Sequence, residues 1–129
     1  KEAEALRAGF EPFLEKLRKA YTFEAAGLSL RPFETAKEVI TEGQTLHICI
    51  GSYVQNYMKG GTVLCCLRPV DARDTPWRAV EFSAKTGKLI QDRGAYNDTR
   101  GAIPPETRAL LNQFWAAFEQ HRQKARKSA

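Results

Sequence analysis

Thr62-Val63-Leu64-Cys65-Cys66-Leu67 is a nearly continuous apolar run of strand length. Such runs belong to strands that are covered on both faces. Outward from it, Arg68 to Pro76 is a polar loop, and Trp77 to Phe82 then alternates. Trp77, Ala79 and Glu81 share one face of that segment, and Arg78, Val80 and Phe82 share the other. Ala84-Lys85-Thr86-Gly87-Lys88 is a tight connection with glycine where positive φ is useful. Leu89-Ile90-Gln91-Asp92-Arg93 returns as the partner strand. The expected fold class is therefore α+β: a small antiparallel sheet, a meander of three strands or more, flanked by helices.

The flanking helices follow from period. Leu6, Phe10, Phe13, Leu14, Leu17 and Tyr21 recur at spacings of three and four, so residues 2–21 read as an amphipathic helix, with a kink or restart expected at Pro12. Residues 1–27 form an N-terminal helical segment, read as the end of a longer upstream region. The main domain spans 28–121, and a basic tail occupies 122–129. Leu28-Ser29-Leu30 is a short strand candidate. Phe33 to Thr41 is helical, with Gly43 as its stop. Leu46 to Ile50 reads as a strand or the entry to a helix, and Tyr53, Val54, Tyr57 and Met58 space helically up to Lys59-Gly60-Gly61. After a polar loop over 94–103, Pro104-Pro105-Glu106 opens a last helix with Leu110, Leu111, Phe114, Trp115 and Phe118 on one face.

At 129 residues, with 43% hydrophobic and 27% charged residues, the chain has the size and balance of one globular domain. No apolar run approaches the roughly 18 residues of a membrane-spanning helix, and Lys1 to Arg7 does not open a signal peptide. Membrane association is not expected. Three cysteines, two of them adjacent, do not make a disulfide framework, and a reducing cytoplasmic setting is expected. The net charge of +5 is weighted towards the C-terminus, where Arg122 to Ala129 holds four cations and no acid. That tail suits a polyanion such as nucleic acid, and equally a solvated helix end.

Leu46-His47-Ile48-Cys49-Ile50-Gly51-Ser52-Tyr53 carries the candidate chemistry. If extended, it turns His47 and Cys49 to one face, where an imidazole can activate a thiol. For Cys49 a packing role, buried as a small hydrophobe, outweighs the nucleophilic one. His47, Cys49, Cys65 and Cys66 supply four zinc-type ligands, yet adjacent strand residues point to opposite faces, so no metal and no cofactor is expected. Glu81 and Gln91 fall roughly opposite each other across the hairpin. With Arg93 and Asn97 they form a candidate polar patch, in which Arg93 would pair with Glu81 or Asp92. His47 and Glu81 are the catalytic candidates, and Tyr53, Arg68, Gln91, Arg93 and Asn97 the binding ones. Arg68, Arg73, Arg78, Lys85, Lys88, Arg93 and Arg100 over the sheet and loops, with Trp77 and Tyr96 for stacking, suit single-stranded nucleic acid.

The combination resembles the PcfJ-like family of bacterial conjugative plasmids, phages and other mobile elements. Leu46 to Tyr53 is similar to its L-H-x-C-V-G-x-Y signature, with Ile50 where valine is usual. Gln91-Asp92-Arg93-Gly94-Ala95-Tyr96-Asn97 is similar to its Q-x-R-G-x-x-N segment. Glu42-Gly43, Lys59-Gly60, the Leu64 to Arg68 strand and Pro76-Trp77 leading to Val80-Glu81 complete a likeness that covers roughly residues 28–118. The resemblance implies mobile-element biology, with a further upstream domain or other mobile-element proteins as partners, and does not supply a reaction. Three functions are carried forward: a nucleic-acid-associated module, an enzyme working through the His/Cys/Glu/Arg group, and a protein-interaction domain of a transfer complex.

Overall fold

A computed structural model describes residues 2–128; Lys1 and Ala129, the outermost residues of the expected upstream segment and basic tail, lie outside the described residues. Helix α1 (Glu2–Tyr21) leads into β1 (Phe23–Ala25) and β2 (Leu28–Pro32), and then into α2 (Ala36–Leu46). A first 3-10 turn (Cys49–Tyr53) runs into the short α3 (Val54–Met58). Strands β3 (Val63–Pro69), β4 (Arg78–Phe82) and β5 (Leu89–Gly94), a second 3-10 turn (Ala95–Asp98) and α4 (Pro105–Ser128) complete the chain. The sheet is antiparallel throughout, in the order β1-β2-β3-β4-β5. It is an α+β fold.

Register distributes the side chains. Val63, Cys65 and Leu67 align with Phe82, Val80 and Arg78 on one face, while Leu64 and Cys66 align with Glu81 and Ala79 on the other. On the first face Phe82 packs against Tyr21 of α1 and against Trp115 and Phe118 of α4. The apolar run at 63–67 is buried along its whole length because both faces are covered. The second face carries α2 and the first 3-10 turn: Arg31 of β2 pairs with Glu38, and Arg68 of β3 with Glu42.

Several boundaries differ from the sequence reading. Helix α1 runs continuously through Pro12. Pro12 and Ala8, whose carbonyl loses its i+4 donor, are both exposed. That carbonyl lies on the solvent side of the helix, while Phe10, Leu14 and Leu17 hold the helix on the core from the other side. Phe23-Glu24-Ala25 adds an edge strand, turned back by Ala26 and Gly27 at φ 53° and 75°.

Helix α2 does not stop at Gly43. It continues to Leu46, where His47 caps it in the left-handed region at φ 55°, ψ 51°. Gly43 serves close approach instead: a Cβ there would lie 3.0 Å from Ile50 Cγ2 and 3.1 Å from the Ile48 carbonyl oxygen. Leu46 to Ile50 is consequently neither strand nor a simple helix entry. It is a helix end, a left-handed cap and one extended residue before the 3-10 turn. The basic tail is the last part of α4, which reaches Ser128.

Candidate functional site

The conformation of residues 46–53 separates the pair on which the thiol chemistry depended. His47, in its left-handed cap, lays its imidazole flat on Tyr96, with ring centroids 4.6 Å apart and planes 3° from parallel. Cys49 begins the first 3-10 turn and is exposed, not buried as expected for a packing residue. The backbone reversal at His47 undoes the same-face geometry of an extended strand.

Cys49 instead lines a narrow cleft of about 70 Å³ over the second face of the sheet, together with Tyr53, Glu81, Gln91, Arg93 and Asn97. Five sequence candidates (Tyr53, Glu81, Gln91, Arg93 and Asn97) thus converge there, and His47 and Arg68 do not. Leu64, Ala79, Val80, Ile48 and Ile50 supply its apolar walls. The registered pair Glu81 and Gln91 sits side by side, and Gln91 Nε2 donates to Glu81 Oε1 at 2.8 Å. Thr62 Oγ1 donates to Glu81 Oε2 at 2.6 Å, so each carboxylate oxygen of this buried side chain has a donor. Arg93 is exposed and forms no salt bridge among the described residues. Its expected partner Asp92 points to the other face, where Arg78 holds it.

Arg78, only 4% exposed, ties that corner together. Its Nε donates to Asp92 Oδ1 at 2.5 Å, and its Nη2 donates to Asp98 Oδ2 at 2.8 Å. Trp115 Nε1 donates to Asp92 Oδ2, and the Gly94 amide donates to Asp98 Oδ2. Burial opposes the Asp98 charge, but the Arg78 and Gly94 hydrogen bonds outweigh it and hold the carboxyl below its usual value. These bonds stabilise three successive left-handed residues, Tyr96, Asn97 and Asp98, at φ 56°, 56° and 62°. The corner therefore presents Asn97 to the narrow cleft and Tyr96 to a second, wider one.

The wider cleft, about 490 Å³ and open to solvent, lies between the start of β4, the second 3-10 turn and the approach to α4. Trp77, Tyr96 and Arg100 line it, together with Gly94, Gly101 and Pro104. The Arg100 guanidinium sits over the Tyr96 ring at 4.0 Å from its centroid. Asp98, the acid lining this cleft, is already paired with Arg78, which it shares with Asp92. Trp77 and Tyr96 were read from sequence as stacking candidates; Arg100 was grouped only with the general basic surface, since nothing local marks its partner.

Arg68 stands apart from both clefts. Its Nη2 donates to Glu42 Oε1 at 2.5 Å and its Nη1 donates to the Arg73 carbonyl. Glu42, 1% exposed, was missed as a residue of interest. Its signal was present: three residues after Val39 and four before Leu46, it lies on the buried stripe of α2, where a carboxylate needs a cation. Burial pushes the Glu42 carboxyl up, with Arg68 opposing. Cys65 and Cys66 lie on opposite sheet faces with thiols raised by burial, Cys66 to about 11. Among the described residues no three His, Cys, Asp or Glu side chains converge as metal ligands, and no helix is long and apolar enough to cross a membrane.

A family model described as PcfJ-like protein matches residues 3–103, from α1 through both clefts to the approach to α4. No curated protein and no solved structure matches the chain.

Proposed function

This chain belongs to the PcfJ-like family, and from that premise we propose that it is a nucleic-acid-associated module of a bacterial mobile element, binding single strands. One observation carries the reading: Trp77 and Arg100, the latter held over the Tyr96 ring, line the same open cleft, and its acid is already paired. Aromatic faces stack on any base, and an arginine beside them neutralises phosphate, which together make a sequence-tolerant platform. The left-handed corner and the His47 stack hold Tyr96, and Tyr96 in turn holds Arg100 at the cleft before any ligand arrives. The wider cleft has room for a base with its sugar, a size that ordinary ligand pockets share.

Fluorescence anisotropy with a labelled single-stranded oligonucleotide tests this. Binding should weaken as salt rises, Trp77→Ala should lower affinity by about 1–3 kcal/mol per base stacked, and Arg100→Met should reduce the salt dependence. An affinity that is undetectable at low salt, or indifferent to both substitutions, would refute the reading.

A second reading, an enzyme of unassigned reaction, is favoured by the convergence of Cys49, Glu81 and Arg93 on the narrow cleft. It lacks the base that His47 was expected to supply, and Glu81 is engaged by Thr62 and Gln91. Thiol-directed electrophiles test it: Cys49 labelling that slows sharply in Glu81→Gln would favour the enzyme, and unchanged labelling would count against it.

A further inference from the structure

We infer that the narrow cleft beside Tyr96 reads the edge of a guanine in the bound strand; this rests on the single-strand reading above. The two clefts meet at the β5 corner, where consecutive residues divide between them, Tyr96 in the wider and Asn97 in the narrower. A strand that lies in the wider cleft against Trp77 and Arg100 brings a neighbouring nucleotide past this corner to Arg93 and Asn97.

The cleft's chemistry selects what enters. Its volume of about 70 Å³ admits the polar edge of a base and not a stacked ring with its sugar. Glu81 accepts one hydrogen bond on each oxygen, the pattern of an ionised carboxylate, and its charge in the lining disfavours a phosphate. The carboxylate can only accept, so it fixes the orientation of the Gln91 amide. Nε2 is committed to Glu81, and Oε1 remains an acceptor for the ligand. Arg93 brings donors with no acid bound to them among the described residues.

A guanidinium beside an acceptor fits a base that offers acceptors next to donors. Guanine presents O6 and N7 to an arginine, and its N1–H and exocyclic amine to an amide oxygen. Cytosine also sets two acceptors, N3 and O2, beside an amine but has a single donor group where guanine has two, adenine gives the guanidinium one acceptor beside its amine, and thymine has one ring N–H, so guanine satisfies the pair most fully.

The test uses a thymidine tract, all-thymidine or with one central guanine, adenine or cytosine, against the full chain. The single guanine should tighten binding about tenfold over the other three. Arg93→Met and Gln91→Leu should each return the guanine oligonucleotide to the all-thymidine level, and the guanine oligonucleotide should protect Cys49 at the cleft's rim from alkylation more than all-thymidine does. Equal affinity for all four oligonucleotides, or a guanine preference that survives both substitutions, overturns the inference. If the all-thymidine tract and the others all fail to bind, the single-strand reading itself is lost and this inference with it. Circular dichroism of the two variants distinguishes a lost preference from a lost fold.

Discussion

The imidazole of His47 lies flat on the phenol ring of Tyr96, centroids 4.6 Å apart, and so joins the end of α2 to the corner after β5. His47 is also left-handed at φ 55°, a conformation that costs a non-glycine residue roughly 1–2 kcal/mol. The stack returns about 0.5–1.5 kcal/mol. His47→Gly removes both cost and stack and should leave unfolding free energy within about 0.5 kcal/mol of the parent. His47→Ala keeps the cost and loses the stack, so it should destabilise by about 1 kcal/mol. Urea denaturation of the two variants separates these outcomes, and oligonucleotide affinity should fall in both as Tyr96 loosens.

Gly43 lies mid-helix, where alanine would ordinarily add about 1 kcal/mol of stability. Here the new methyl would sit 3.0 Å from Ile50 Cγ2 and 3.1 Å from the Ile48 carbonyl, a backbone atom that cannot move alone. Overpacking of this kind costs about 1–3 kcal/mol and should outweigh the propensity gain. Gly43→Ala is therefore expected to lower the thermal midpoint, and an increase would show that the 48–51 segment yields freely.

Two carboxyls, the half-buried Asp98 and the buried Glu42, should answer pH in opposite directions. Asp98 is held below its usual value despite burial, so its stabilisation is present above pH 3.8 and is lost as pH falls through its folded value. Glu42 is held above its usual 4.5, so its contribution is greatest at low pH and declines as pH rises through its folded value. Asp98→Asn should flatten the acid limb of a stability-against-pH curve; an unchanged limb would place acid sensitivity elsewhere. Removing one partner of the buried Glu42–Arg68 pair should cost about 3–5 kcal/mol. Replacing both, as in Glu42→Leu with Arg68→Met, should cost less than either alone, which a double-mutant cycle will measure.

The core sheet was legible because β3 is a continuous apolar run, β4 alternates and β5 returns across a short connection, and the Glu81–Gln91 pairing followed from the length of the hairpin. Strand β1 was not legible, since three residues cannot establish an alternation and its pairing with Leu28–Leu30 is a tertiary fact. Gly43 misled for a related reason. A glycine that ends a helix and one that admits a neighbouring chain look identical until Ile48 and Ile50 are in place. His47 then took the cap, and that single left-handed residue moved Cys49 away from its presumed base. The convergence of Tyr53 and Cys49 with Glu81 and Arg93 depended on how α2 docks on the sheet, which no local pattern reports.

The cysteines should differ sharply in reactivity. Cys49 is exposed, whereas Cys65 and Cys66 are buried with thiols pushed up, Cys66 to about 11. Since the thiolate is the reacting form, burial and raised values both protect the vicinal pair. Titration with a chromogenic disulfide at pH 8 should modify one thiol in the native protein and three after denaturation. Modification of two or three in the native state would mean that β3 opens readily.

Pro12 offers a test of how α1 is held. It lies inside the helix on the exposed side, so the Ala8 carbonyl faces water where a backbone amide would otherwise donate. An interior proline is about 3 kcal/mol less favourable than alanine, yet the helix continues because Phe10, Leu14 and Leu17 are buried beside it. Pro12→Ala restores the amide without touching those contacts. It should therefore raise the unfolding free energy by about 1–3 kcal/mol and slow hydrogen exchange over residues 8–16. A destabilised variant would mean that the proline ring itself supports the packing of α1, and that the exposed face of the helix matters more than its solvation suggests.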